Sequence, residues 1–253
     1  APTTRSETPI PDDSMLPLLQ AEFALRQRDF NQGLALLAEQ AVLLEDPALA
    51  RRALRLAEFV NDTDQAAMMA VRLVALDPGD GAAAAAASGW LSRAGRPVDA
   101  VYYAQLAFEH GHPVNVATNL GTYDALDEGS QAAITETIRA IAAQWPEDDQ
   151  AAIAACLLAR IEGDLKGAES FILPVLERSP EDVRAVMLWT QLMLDQDADD
   201  PFQLLATTVS RYPDNQELRL QYARLLGSEG NYAGAQAQFV RLLERDPENT
   251  ELL

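Results

Sequence analysis

The sequence predicts an all-α solenoid of stacked antiparallel helix pairs. Alanine and leucine dominate the 253 residues, whereas aromatic residues make up only 6% of them, which favours helix over sheet. Turn-forming residues recur at a nearly constant spacing of about 34 residues, the mark of a repeat architecture. Hydrophobic residues make up 48% of the chain, so a long stack of helices has enough apolar surface to bury.

Two ladders of turn-forming residues divide the chain. The prolines stand 31 to 35 residues apart, at Pro47, Pro78, Pro113, Pro146, Pro180, Pro213 and Pro247. Residues that tolerate left-handed backbone stand 33 or 34 residues apart, at Asn61, Gly95, Gly129, Gly163, Asp197 and Gly230. Because the two ladders are offset by about half a period, each repeat should contain two helices.

The segments between these marks have the helical period. In "AAMMAVRLVALDP" (66–78) and "GAQAQFVRLLERDP" (234–247), apolar residues recur at steps of three and four. Acidic or amide residues follow several of the prolines, where they can cap the next helix. Much of the net charge of −20 therefore has a structural explanation. The same charge argues against binding to nucleic-acid phosphates or to anionic membrane surfaces.

A third ladder is formed by mostly small residues, seven positions before each turn mark. A position that stays small once per repeat indicates close contact between two helices. The alanine run 82–87 leads into one of these positions, so we predict that it forms the first helix of a repeat. The ladder consists of Leu54, Ser88, Thr122, Cys156, Thr190 and Ala223.

The combination of small, turn, small and proline positions resembles the tetratricopeptide repeat family. The resemblance is carried by three sets of residues: Ala223, Gly230, Ala235, Phe239 and Pro247; Cys156, Gly163, Ala168 and Pro180; and Ser88, Gly95, Ala100, Ala107 and Pro113. It implies a right-handed superhelical solenoid of about seven repeats. Departures from the pattern are the degenerate stretch 114–146, Pro201 with Phe202, and Pro174 inside a predicted helix, where we expect a kink.

The predicted domain organisation follows from this register. Residues 1–13, rich in proline, threonine and serine, are predicted to be a flexible tether, with an ordinary frayed terminus as the alternative. Residues 14–253 form the solenoid, and we expect it to continue beyond Leu253. Its predicted repeats are 14–47, 48–79, 80–113, 114–146, 147–180, 181–213 and 214–247.

A narrower resemblance concerns bacterial outer-membrane lipoproteins with tetratricopeptide repeats. It is carried by the general residue pattern and repeat order of residues 46–78 and 218–249. It implies a non-enzymatic adaptor that binds a periplasmic carboxyl-terminal processing protease and helps to deliver peptidoglycan hydrolases to it. The fragment itself would not insert into the membrane, and a lipid anchor would lie upstream. Two alternatives remain open: the regulatory repeat region of a larger enzyme, and a cytoplasmic assembly factor or co-chaperone.

The sequence offers little catalytic chemistry, and we predict neither a cofactor nor a metal site. Phosphate-binding glycine loops, H-E-x-x-H and the G-x-S-x-G elbow are all missing. His110 and His112 lack an evident third metal ligand, and Cys156 fits a packed thiol. The stretch "DQDADD" (195–200) lacks the glycine and glutamate of a calcium loop, so we expect Asp200 to cap a helix that starts at Pro201.

In this family the first helix of each pair lines a groove that holds a partner protein. Arg51 and Arg55 would bind a partner carboxylate or else pair with acids of this chain such as Glu58, and a register shifted by one residue would bury Ile153 and Leu157. The groove surface of repeat 3 would have almost no protruding side chains, and the groove surface of repeats 5 and 6 would be apolar. The predicted groove residues are Arg51, Arg55, Ala85, Gly89, Asn119, Tyr123, Ile153, Leu157, Met187, Gln191, Leu220 and Arg224.

The N-terminal helix around residues 16–25 is a second candidate surface. Leu18, Leu19, Phe23 and Phe30 form an apolar stripe. A terminal repeat lacks a neighbour on one side, so this helix should either cap the array with a polar face or present apolar surface to a partner.

Overall fold

The computed structural model describes residues 10–245, and this part of the chain contains α-helices and short 3-10 helices but no strand. The all-helical prediction is confirmed. The α-helices are α1 (Asp12–Arg26), α2 (Phe30–Leu43), α3 (Pro47–Val60), α4 (Thr63–Leu76), α5 (Gly81–Arg93), α6 (Pro97–Glu109), α7 (Glu128–Gln144), α8 (Asp149–Ile161), α9 (Leu165–Arg178), α10 (Val183–Asp195), α11 (Gln203–Arg211), α12 (Gln216–Ser228) and α13 (Tyr232–Arg245). The 3-10 helices are Val116–Leu120 and Tyr123–Ala125.

The chain divides into two compact units, and the boundary follows Ile141. In unit 1, helices α1 to α6 pack in chain order, each against the next, so that three helix pairs stack. In unit 2, α8 packs against α9, α9 against α10, α10 against α11, α11 against α12, and α12 against α13. Each unit therefore buries its apolar surface by contact between neighbouring pairs, as expected for a repeat architecture.

The turns within the helix pairs are left-handed at the predicted positions. Asn61, Gly95, Gly163, Asp197 and Gly230 all have positive φ, between 52° and 79°. Arg28, with φ of 63°, is a further member of this ladder at its N-terminal end. Gly129 is the exception and its predicted role is wrong. It lies in the first turn of α7, where Asp127 accepts a hydrogen bond from the backbone N–H of Ser130 and starts the helix.

Acidic and amide side chains begin many of the helices, as the sequence indicated. Each accepts a hydrogen bond from a backbone N–H in the first turn, which satisfies a donor that has no partner inside the helix. One expectation was wrong: α11 begins at Gln203, Phe202 precedes it, and no side chain caps it, so Asp200 does not cap a helix at Pro201. The capping residues are Asp29, Asp46, Asp62, Asp80, Asp127, Asp148, Asp164, Asp182, Asn215 and Asn231.

The alanine run forms α5, the first helix of the third pair. Ala83, Ala84 and Ala87 are buried in the core of unit 1, whereas Ala82 is exposed. The small side chains allow α4 and α6 to lie close to α5 on both sides. Leu91, which is fully buried, follows one turn after Ala87 and continues the same packed face.

The stretch 114–146 does not form the predicted helix pair. Its first half contains only the two 3-10 helices, and its second half is α7. Side chains there bond to nearby backbone: the Thr118 hydroxyl donates to the Asn115 carbonyl over 2.9 Å, and the Asn119 amide donates to the Val116 carbonyl over 3.2 Å. Such local bonds compete with the regular helical ladder, which explains why the first helix is missing.

The predicted domain ends differ in part from the bounds of the described helices. Helix α1 begins at Asp12, inside the segment 1–13 that was predicted to be a tether. Residues 1–9, Pro247 and the predicted continuation beyond Leu253 lie outside the described residues. Helix α9 passes through Pro174 without ending there.

Candidate functional site

The candidate site is the surface that α1, α3 and α5 form in unit 1, which we call the first-helix face. Arg51 of α3 donates a hydrogen bond to Asp80 over 2.8 Å, and Asp80 also accepts from the backbone N–H of Ala83 at the start of α5. The Ala83 amide and, after it, the Arg51 guanidinium outweigh burial and hold the pKa of Asp80 below its usual value. Arg51 is thus fixed at the junction of two repeats.

Further polar contacts link the first helices to one another. Arg52 of α3 forms an ion pair with Glu22 of α1, and this hydrogen bond is the main reason why the pKa of Glu22 is lowered. The indole N–H of Trp90 in α5 donates to Glu58 of α3 over 3.1 Å. Within residues 10–245 Glu58 therefore bonds to Trp90 and to no arginine, but the expected alternative of pairing with an acid of this chain holds for Arg51, which binds Asp80.

Arg55 is left available by these contacts. It is exposed, and within residues 10–245 it makes no hydrogen bond or ion pair. It lies one helical turn after Arg51, on the same side of α3. Along α3 the face therefore combines a guanidinium held by Asp80 with one that has no internal partner, and a new carboxylate can pair with the second without competing with an acid of this chain.

The neighbouring surface of α5 has small side chains and is open to solvent. A side chain at exposed Gly89 would meet no atom within 4 Å, and Ala85, one turn earlier, is half-buried. Beside them, the guanidinium of Arg93 lies 4.6 Å from the centre of the Trp90 ring. A partner backbone can therefore approach α5 closely at Gly89, as the predicted smooth repeat requires.

The sequence analysis did not identify Phe59. This residue lies one turn after Arg55, is 70% exposed, and packs edge-on against Phe30 with ring centres 5.1 Å apart. The sequence does contain a pattern that indicates this residue, because Arg51, Arg55 and Phe59 follow one another at steps of four along a predicted helix. Phe59 adds an apolar anchor to the two arginines on the same stripe of α3.

The predicted groove residues of the fourth repeat do not form a groove. Asn119 is 2% exposed and lies in a 3-10 helix, where its Oδ1 has no hydrogen-bond partner. Tyr123 is half-buried, and its hydroxyl lies 2.8 Å from the hydroxyl of Thr135. Because the expected first helix is missing, these two side chains make local contacts and do not present a binding surface.

In unit 2 the predicted groove positions are largely covered. Ile153 is only 4% exposed and Leu157 is half-buried, so the register places Ile153 in the core, as the alternative frame predicted. Half-buried Met187 packs against a small core around Val186 and Leu205.

The other groove positions of unit 2 offer one exposed group. Half-buried Gln191 accepts a hydrogen bond from Arg160, which also pairs with Asp195. Leu220 is half-buried, and Arg224 is exposed and has no hydrogen bond or ion pair in the described part of the chain. Unit 2 therefore provides a single free guanidinium and no open apolar groove at the predicted positions.

The residues with catalytic potential are in structural positions. Cys156 is fully buried, and burial raises the pKa of its thiol to about 12, so it stays protonated at neutral pH. His112 is exposed, and its Nδ1 lies 3.0 Å from the carbonyl oxygen of His110. In the described range, no three His, Cys, Asp or Glu side chains are grouped to hold a metal ion. None of the helices described is both long and apolar enough to cross a membrane.

Comparison with protein families agrees with the helix pairs of unit 2. Residues 192–253 match the model of a tetratricopeptide repeat family. This part of the chain is therefore similar to tetratricopeptide repeats. A tetratricopeptide repeat-containing protein of Pseudomonas aeruginosa is 25% identical over 213 residues, which cover 84% of this chain. The chain spans 36% of the length of that relative.

Two solved structures are among those to which this chain is similar. The type IV pilus biogenesis factor PilW is 13% identical, with a TM-score of 0.48, and the match covers 83% of this chain and 98% of PilW. YrrB, a tetratricopeptide repeat protein described as having an unusual peptide-binding site, is 17% identical, with a TM-score of 0.43 and coverage of 72% and 95%.

The Asp80 contact leads to a testable prediction. Asp80→Asn keeps a helix-capping oxygen but removes the charge that binds Arg51, so we expect unit 1 to lose less than about 1 kcal/mol at neutral pH. Because folding lowers the pKa of Asp80, its charge stabilises the fold above the usual aspartate pKa, and this contribution is lost as the pH falls through the lowered value. Urea unfolding at several pH values should therefore show a shallower acid dependence for the variant.

The matched control is Asp46→Asn, because Asp46 caps α3 in the same way. We expect this change to alter the neutral-pH stability by only a few tenths of a kcal/mol. An acid dependence of Asp80→Asn equal to that of the unchanged protein would contradict the role given to Asp80.

Proposed function

We propose that this chain is a non-enzymatic scaffold that binds a partner protein on the first-helix face of unit 1. The observation that carries the proposal is the free, exposed guanidinium of Arg55. The open surface at Gly89 holds the same position in the next first helix, six residues before the left-handed turn. Arg51 and Arg52 beside it have internal partners, so Arg55 is the arginine of α3 that remains available. A partner carboxylate or carbonyl can reach it without disrupting the repeats.

The spacing along α3 suits an extended partner segment or one face of a helix. Successive groups at Arg51, Arg55 and Phe59 are separated by about 6 Å, the rise of four residues in a helix. A partner with an acidic group followed by an apolar side chain would contact Arg55 and Phe59 together. Gly89 on α5 would accommodate its backbone, because no side chain stands there.

We further propose that the partner is a periplasmic carboxyl-terminal processing protease and that the protein works as its outer-membrane-anchored adaptor. The support for this narrower role is the resemblance of residues 46–78 and 218–249 to bacterial repeat lipoproteins. An adaptor that holds the protease on one surface and a peptidoglycan hydrolase on another would raise their effective concentration. The net charge of −20 fits a protein partner better than nucleic acid.

The first test is a pull-down from a periplasmic extract with the immobilised chain, followed by titration with the purified processing protease. We expect the protease to be captured, and we expect Arg55→Glu to weaken its binding at least about tenfold because a repulsive charge replaces the free cation. Arg224→Glu is the matched control, since Arg224 is also exposed and free but lies in unit 2. It should leave the affinity unchanged.

The outcomes separate the broad proposal from the narrow one. Failure to capture the processing protease from the periplasmic extract would reject the periplasmic adaptor, and capture of chaperones from a cytosolic extract instead would favour the co-chaperone alternative. Binding of every captured protein at full strength to Arg55→Glu would reject the first-helix face as the binding site.

A further inference from the structure

Helix α1 carries an apolar stripe that no residue of the described chain covers. Leu16 is 63% exposed, Leu19 59% and Phe23 63%, and Met15 beside them is 46% exposed. The steps of three and four between Leu16, Leu19 and Phe23 are those of a coiled-coil seam. These large side chains form one continuous line along the helix, so they are a candidate contact surface.

The register of the repeats shows which way this stripe faces. Counted back from the left-handed turn residues, Phe23 occupies the position of Leu56 in α3 and of Trp90 in α5. Leu56 and Trp90 are half-buried against the core of unit 1, where α3 packs on α2 and α5 packs on α4. The stripe on α1 is therefore the face that later repeats use for helix stacking, and among residues 10–245 no helix precedes α1 to cover it.

The same register indicates that the face is not shaped for one more ordinary repeat. Gln20 occupies the position that buried Ala53 and Ala87 occupy in α3 and α5, where the small side chains allow close packing. Gln20, Leu19 and Phe23 instead line an open cleft of about 320 Å³ against α2. The cleft has room for the side chains of a helix held at coiled-coil distance, which is wider than the contact an alanine permits.

The charges at the two ends of the stripe favour a second copy of this chain as the occupant. Asp12 and Asp13 lie at the start of α1 and Arg26 at its end, and all three are exposed. Arg26 lies near Glu22, but Glu22 is already bound by Arg52. The helix is thus negative at its start and positive at its end. Its charges are therefore complementary to those of a second copy of the same helix in antiparallel orientation.

We propose that α1 is a self-association surface, on which two copies of the chain pair their α1 helices antiparallel about a twofold axis near Leu19. In this register Leu16 lies opposite the partner's Phe23, and Asp13 lies opposite the partner's Arg26. A twofold contact needs only one self-complementary patch, which this stripe provides. Side chains of the partner helix enter the cleft between α1 and α2. The proposal does not depend on the partner-binding role of the first-helix face.

The first test compares oligomeric states by sedimentation velocity over a range of concentrations. The unchanged chain should show a concentration-dependent dimer, and Leu16→Glu combined with Phe23→Glu should weaken dimerisation at least about tenfold. Leu43→Glu is the matched control, because Leu43 of α2 is also 63% exposed; it should not change the dimer. A monomer at every concentration, or a dimer that is indifferent to the double substitution, would overturn the proposal.

A second test addresses orientation. Asp13→Arg alone and Arg26→Asp alone should each weaken the dimer, and the two together should restore it, because an antiparallel pair places these positions opposite each other. Leu19→Cys should give a covalent dimer with a short thiol cross-linker, whereas Leu43→Cys should not. The native Cys156 is buried and need not be removed. Failure of the charge exchange to rescue the dimer, or absence of the Leu19→Cys cross-link, would refute the antiparallel register.

Discussion

Leu91→Ala is expected to destabilise unit 1 by about 2–5 kcal/mol, the usual cost of truncating a fully buried leucine. The Leu91 side chain has no exposed surface and lies between α4 and α6 in the middle of the unit. Its neighbours include many alanines, whose short side chains cannot move in to fill a cavity. Urea unfolding followed by circular dichroism measures the change in the free energy of unfolding.

Leu43→Ala is the control for this experiment, since Leu43 is a leucine in a helix of the same unit but is largely exposed. Its truncation should change stability by less than about 0.5 kcal/mol. Equal effects of the two substitutions would mean that the packing of α5 does not determine the stability of the unit.

Ala87→Leu is expected to cost about 1–3 kcal/mol for the opposite reason, because the added carbon atoms have no space. Ala87 is fully buried at a position where two helices approach closely. The methyl group is therefore required for its small size, although leucine forms helices nearly as well as alanine. The same unfolding measurement applies.

Ala82→Leu provides the comparison within the same helix. Ala82 is exposed, so the larger side chain extends into solvent and we expect little change in stability. A cost for Ala87→Leu no greater than that for Ala82→Leu would show that the alanine run does not set the distance between helices.

The architecture was predictable because each repeat must reverse direction in few residues. Such a turn needs left-handed backbone, and asparagine and glycine supply it at Asn61, Gly95 and Gly163 with almost constant spacing. The prediction failed at Gly129, where a nearby capping aspartate starts a helix instead. A ladder of residue types therefore identifies the period, but it does not show that every member makes the same turn.

The candidate site was less predictable than the fold. Arg51 and Arg55 look equivalent in the sequence, yet only Arg51 reaches an acid, because Asp80 projects from the start of the next repeat. Ile153 fits the groove register but is buried, since exposure depends on how neighbouring helices cover a position. These outcomes depend on contacts between residues about 30 positions apart, which periodicity alone does not specify.

The left-handed turns between paired helices also have a consequence for engineering thermostability. Arg28 adopts positive φ without being glycine, and such a conformation is strained for a long side chain, whereas the aspartate at Asp197 tolerates it. Arg28→Gly should raise the melting temperature, with a gain of about 0.5–1 kcal/mol after the greater freedom of the unfolded chain is counted, whereas Asp197→Gly should give no gain. Consensus design of this protein would therefore begin at its bends and leave its interior untouched.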